Sequence, residues 1–230
     1  MKKEKKKVTT ISIKPSLLER CRTIDPYFNL SQEVEKTLIQ YIECSNETMK
    51  LRLPEIVRMR DDVVYFAEEY CKVSSCDNGI VDVQLDDARR AILKDMAFGN
   101  DVQHRDKRQS GTTTLLTIYA LHNLLFGTYQ AIAIANYKPA LATNNIEKIR
   151  AMYYRLPSWL QSFYKLELNM RWQLDVGDNY IFAVSDVERM RGRTINKLFV
   201  DNATRCSPDI VEMFTRHRGK NSQLVAVDTF

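Results

Sequence analysis

The stretch Lys107-Arg108-Gln109-Ser110-Gly111-Thr112-Thr113-Thr114 constrains this chain most, because a glycine-hydroxyl loop there runs straight into a long apolar helical segment. Leu115, Leu116, Ile118, Tyr119, Leu121 and Leu124 predict a helix that closes near Gly127. Ala131-Ile132-Ala133-Ile134-Ala135 follows and reads as a strand buried on both faces. Loop, helix and buried strand in this order outline a phosphate-binding scaffold. Such a loop ends in Gly-Lys-Ser/Thr: backbone N–H groups cradle phosphates, the lysine reaches the outer phosphates and the hydroxyl serves magnesium. Here Gly111 is present, Thr112 stands at the lysine position and Thr113 supplies the hydroxyl.

The 230 residues suffice for one large or two modest domains, and a net charge of +5 does not by itself mark a nucleic-acid binder. The distribution is more telling, since five lysines fall within Met1–Lys7. No apolar run reaches membrane-spanning length, and the basic start lacks the apolar core of a signal peptide, so a cytoplasmic protein with no membrane partner is expected. Five scattered cysteines suit reduced thiols better than a disulfide framework. His104, His122 and His217 supply no metal-ligand pattern, and no metal is expected.

From Lys7 to Lys14 the chain alternates, with Thr9, Ile11 and Ile13 on one face and Thr10, Ser12 and Lys14 on the other, which predicts a half-buried strand ended by Pro15. A helix is predicted from Ser16 through Arg22, a break at Asp25-Pro26, and a second helix capped by Ser31 and running to about Cys44. This unit is too small to bury its own apolar face and calls for a second copy. Residues 1–45 therefore resemble the ribbon-helix-helix DNA-binding domains of the Arc and MetJ type. The resemblance implies a homodimer on double-stranded DNA, with Thr10, Ser12 and Lys14 toward the groove, Lys7 as a further DNA contact and Ser31 holding a phosphate. Residues 46–60 are charged and read as a connector.

Beyond residue 60, five segments fall in the order and spacing of the ATPase domain of tailed-phage large terminases: Val64–Tyr70, Gly79–Leu85, Arg108–Thr113, Leu156–Gln161 and Met190–Gly192. The resemblance implies an α/β fold for residues 61–230, with a P-loop NTPase-like, mainly parallel sheet flanked by helices. Strands are expected at Ile132–Ala135, Tyr180–Val184, Leu198–Val200 and Leu224–Val227.

Three positions depart from the family pattern. Arg89 occupies the place of the adenine-contacting glutamine, Thr112 that of the loop lysine, and Asn202, after Asp201, that of the second acidic residue. An amide neither carries charge to a metal nor polarises water as a carboxylate does. Gln103–Lys107, expected as the buried strand leading into the loop, is strongly polar. Lys107 or Arg108 is the candidate for a displaced cation that would keep ATP and magnesium binding; otherwise no cofactor is expected. The chain stops at Phe230, so no nuclease domain is expected. The expected role is a DNA-binding, catalytically dead terminase-like protein that modulates genome packaging, with large terminase or portal as partner. The alternatives are a ribbon-helix-helix repressor and an active ATPase.

Overall fold

The computed structural model describes residues 50–75, 79–107, 110–219 and 221–229. The chain divides into Met1–Pro54 and Glu55–Phe230, and the fold below is that of the second unit. The ribbon, its two helices and the positions Lys7, Thr10, Ser12, Lys14 and Ser31 lie outside the described residues, as does Arg108.

Seven strands build the main sheet. Five are parallel: β3 (Val102–Asp106), β9 (Gln223–Thr229), β8 (Lys197–Asp201), β4 (Ala131–Ala135) and β7 (Asn179–Val184), in that spatial order. Beyond β7, the strands β6 (Gln173–Val176) and β5 (Leu166–Met170) continue the sheet antiparallel. A separate hairpin pairs β1 (Lys72–Ser75) with β2 (Gly79–Asp82). The helices are α1 (Val63–Tyr70), α2 (Asp87–Ala97), α3 (Thr112–Phe126), α4 (Pro139–Arg155), α5 (Ser158–Phe163) and α6 (Pro208–His217). All four strands expected from sequence are present, within two residues of the predicted ends.

The central strands are apolar without a break because both faces are covered. Ile132 and Ile134 of β4 join Ile181, Phe199 and Val225 in a core shared with α3 and α4. Ala133 and Ala135 point the other way, with Phe182, Leu198 and Val200, into a second core closed by Ile210 and Phe214 of α6. Strand alternation thus feeds two layers, and the uninterrupted apolar run follows from it. Helix α3 is the centre of the larger layer and is buried around most of its circumference, from Thr112 to Leu125. It stops at Gly127, where a Cβ would lie 2.4 Å from the Asn123 carbonyl oxygen and from Gln130, so only glycine fits.

The polar strand before the loop is explained by its position. Val102–Asp106 does form a strand, but at the edge of the sheet, paired only with β9. Val102, His104 and Asp106 are half-buried and Gln103 and Arg105 exposed, the alternation of a strand with one solvated side rather than the full burial expected from sequence. Charged side chains on such an edge disfavour pairing with another chain.

Among the titratable groups, the half-buried His122 of α3 makes the clearest contribution to pH dependence. Its ring packs edge-on against Phe66 and lies 5.1 Å from the Phe126 ring, while Nε2 is 3.0 Å from the Met59 carbonyl oxygen. Burial pushes its pKa down to about 4. The neutral ring is therefore the folded form, whereas the unfolded chain takes up a proton near pH 6.5. Stability is full above about pH 6.5 and falls as pH drops toward 4, by on the order of 3 kcal/mol at the lower end. Urea unfolding between pH 4 and 7 is expected to show this slope, and His122→Phe to flatten it. A slope unchanged in that variant would assign the effect elsewhere.

Candidate functional site

The residues that sequence assigned to a nucleotide site converge at the carboxyl ends of the parallel strands, where open α/β sheets bind ligands. The loop ends at Gly111, whose φ of 86° lies in the left-handed region that glycine adopts without strain. Its carbonyl oxygen accepts from the Leu115 N–H at 3.0 Å, which starts α3. Thr112, at the lysine position, is 2% exposed, and its hydroxyl lies 2.6 Å from that of Ser110. It fills the loop from within and carries no charge toward a phosphate.

One residue on, Thr113 turns to the sheet. Its hydroxyl donates to Asp201 Oδ1 at 2.9 Å, joining the first turn of α3 to the end of β8 across 88 residues of sequence. A hydroxyl-carboxylate pair of this kind serves magnesium in phosphate-binding loops. The two positions singled out by the motifs therefore meet in the structure. The other oxygen, Asp201 Oδ2, accepts from Asn136 Nδ2 at 3.1 Å and Asn145 Nδ2 at 2.9 Å. A carboxylate is acceptor-only, so both amides must present nitrogen, and Asn136 Oδ1 is left buried with no hydrogen-bond partner among the described residues. Asp201 is thus satisfied by three neutral donors, two of which aim N–H groups where a cation would need lone pairs.

Asn202 follows with φ 58° and ψ 53°, a left-handed conformation that asparagine tolerates better than most residues. It begins a short 3-10 turn, Ala203–Arg205. Asp228, near the end of β9, is buried on the neighbouring strand with Oδ2 unpartnered by hydrogen bonds and 4.0 Å from Arg105 Nε. The nearby thiol of Cys206 is pushed up to about 11, chiefly by burial and further by Asp201 and Asp228.

Arg89 lies in the first turn of α2, which Asp86 caps. Its Nε donates to the Ser110 carbonyl oxygen at 2.9 Å, and it lies nearest to where a Cβ on Gly111 would project. A cleft of about 890 Å³ opens beside it, walled by β1, β2, Gln84, Gly111 and Thr114. Lys107, a candidate with Arg108 for the displaced cation, is exposed. The site therefore brings together Arg89, Gly111, Thr112, Thr113, Asp201 and Asn202. The Thr113–Asp201 pair has the arrangement of the metal half of a nucleotide site, but the amides of Asn136 and Asn145 occupy the oxygen a cation would use, and the phosphate half does not fit because a buried hydroxyl replaces the ammonium.

Sequence reasoning missed Asn136 and Asn145. An asparagine closing an apolar strand, and another on the inner face of α4 at 2% exposure, were the available signals. Neither forms a motif on its own.

No family model matches the chain. Among solved structures it is similar to the large terminase of bacteriophage HK97, at 17% identity and a TM-score of 0.59, over 74% of this chain and 37% of that one. The large terminase of a thermophilic bacteriophage is similar at 13% identity and a TM-score of 0.51, over 64% of this chain and 39% of that one. The same thermophilic phage's terminase in complex with ADP matches at 13% identity and a TM-score of 0.51, over 63% of this chain and 39% of the other. The chain spans less than two-fifths of the length of these proteins. The likeness is one of fold, and it agrees with the mixed, mainly parallel sheet expected from sequence.

If Asp201 is the tie between these elements, removing its carboxylate leaves three donors without an acceptor. Asp201→Ala is expected to lower unfolding stability by about 3 kcal/mol, and Thr113→Val by roughly 1–2 kcal/mol. Equilibrium urea unfolding measures both. A loss below about 0.5 kcal/mol for Asp201→Ala, the range of a neutral surface change, would remove Asp201 from this role.

Proposed function

We propose that this protein is a packaging-associated DNA-binding protein of phage or mobile-element origin, in which a terminase-like ATPase scaffold has lost hydrolysis. The observation that carries this reading is the state of the loop and its acid: a buried Thr112 in place of the cation, and Asp201 committed to Thr113, Asn136 and Asn145. Phosphoryl transfer depends on positioned positive charge around the transferring group, and loss of one such donor typically lowers turnover by a factor of about 10² to 10³. Two departures, at Thr112 and Asn202, compound that loss.

In this reading residues 1–45 select DNA as a dimer and the second unit presents a motor-shaped surface. Such a surface engages the partners of an active motor, a large terminase or portal, or enters the same assembly, and so marks, redirects or blocks packaging. A cytoplasmic location in a bacterial host goes with the reading, and no helix among the described residues is long and apolar enough to cross a membrane.

A second reading, hydrolysis with a displaced cation, has one supporting observation. Arg89 places a guanidinium on the loop through its bond to Ser110. The two separate in a phosphate-release assay on the full chain, with and without DNA. No turnover above background is expected. Turnover near one per second, abolished by Arg89→Ala or Asp201→Ala, would favour the active enzyme.

The DNA-reading half is tested by gel shift. Replacing Thr10, Ser12 and Lys14 with alanine is expected to weaken binding and, for each lost phosphate contact, to lower the salt slope by roughly one. Unchanged affinity would withdraw the ribbon. Co-purification with a cognate large terminase or portal is expected for the full chain; DNA alone would leave the repressor reading ahead.

A further inference from the structure

At the opposite end of the sheet lies a group for which the nucleotide-site chemistry has no use. Lys197 opens β8, and its Nζ donates to the Tyr119 hydroxyl at 3.1 Å and to Gln223 Oε1 at 3.2 Å. Those two acceptors are already joined, since the Tyr119 hydroxyl donates to Gln223 Oε1 at 2.8 Å. Gln223 is fixed in turn by donating to the carbonyl oxygens of Met96 and Asn100. An ammonium has three N–H donors, and the third finds no acceptor among the described residues. No carboxylate among the described residues forms an ion pair with it, and burial pushes Lys197 down to about 8.

A cavity of about 680 Å³ adjoins it, walled by the start of α1, the end of α2 and the middle of α3. Tyr119, His122 and the exposed ring of Phe98 make its aromatic side, and Arg60 and Lys94 add positive charge. Asp61, Asp62 and Asp95 also border it. Arg60 is paired with Asp61, and Asp62 caps α1 through the Val64 and Tyr65 N–H groups. His122 is neutral at ordinary pH for the reason given above.

We infer that this cavity is a binding site for a single carboxylate on an aromatic or apolar stem, with Lys197 as the anion-binding group. A carboxylate would take the third N–H in a charge-assisted hydrogen bond and supply the counter-charge that the protein withholds. Arg60, Lys94 and Lys197 are matched by three aspartates at the border, so the cavity has no excess positive charge to hold a multiply charged phosphate or a nucleic-acid backbone. The exposed ring of Phe98 favours an apolar stem behind it. The same chemistry comes from a free aromatic acid or from the terminus of a peptide, and neither source depends on the packaging role.

Benzoate and N-acetylphenylalanine are the probes for the two sources, with N-acetylphenylalanine amide and inorganic phosphate as controls. Binding to the full chain is followed by protein NMR titration. Saturable binding of at least one acid is expected, with the amide and phosphate weaker by roughly tenfold or more, the loss that goes with one charge-assisted hydrogen bond. The tighter acid identifies the source. Lys197→Met, similar in length but uncharged, is expected to weaken the acid by the same factor while leaving the thermal transition cooperative. Should that variant not fold, the ¹³Cε resonance of Lys197 in the unaltered chain replaces it: saturating acid is expected to raise its titration midpoint by about one pH unit. No saturable binding by either acid, equal binding of the amide or of phosphate, or a Lys197 midpoint that does not move would each overturn the inference.

Discussion

Asp201 is the residue through which the separate parts of this fold are held in register. Its carboxylate is 5% exposed at the end of β8 and receives hydrogen bonds from the first turn of α3, the residue after β4 and the second turn of α4. A buried carboxylate without such donors would be costly. With three of them it ties two helices to two strands at the point where their ends would otherwise diverge. The loop conformation depends on this tie, because Thr113 is fixed by Asp201 and Thr112 must then turn inward toward Ser110.

How much of this is legible in sequence depends on whether a residue's environment repeats with its neighbours. The strands β4, β7, β8 and β9 are readable because a sheet covered on both faces demands apolar residues at every position, and Ala131–Ala135 or Leu198–Val200 meet that demand locally. Helix α3 is readable for the same reason. The antiparallel strands β5 and β6 are not, since Leu166–Met170 is mostly half-buried or exposed and its pattern is set by the neighbour across a turn. Gln103–Lys107 departs from the expected buried strand for a related cause: strand order is a non-local property, and only the pairing with β9 alone reveals why polar residues are tolerated there.

The site divides in the same way. Gly111, Thr112, Thr113, Asp201 and Asn202 belong to spaced motifs and can be aligned from their order, and the Thr113–Asp201 bond joins the two that should meet. Asn136 and Asn145 answer to no motif, because their role is defined only by an oxygen 65 and 56 residues away in sequence. Arg89 reads from sequence as a lost adenine contact. The structure adds that its guanidinium rests on the loop backbone, a position that spacing alone does not disclose.

A site that holds a metal and phosphates keeps buried acids and unpaired donors poised for ligands, and in their absence that arrangement carries unmet hydrogen bonds. Asn136 and Asn145 remove most of that cost here by giving Asp201 neutral hydrogen-bond donors. The remaining departures from full satisfaction at these strand ends are Asn136 Oδ1 and Asp228 Oδ2. In the proposed reading, a scaffold stabilised in this manner keeps the outer surface of the fold with a crevice that does not depend on a nucleotide for its shape. Under the proposed reading, that independence lets the second unit act as a surface for partners at any nucleotide level, which a motor subunit whose conformation follows its fuel would not do.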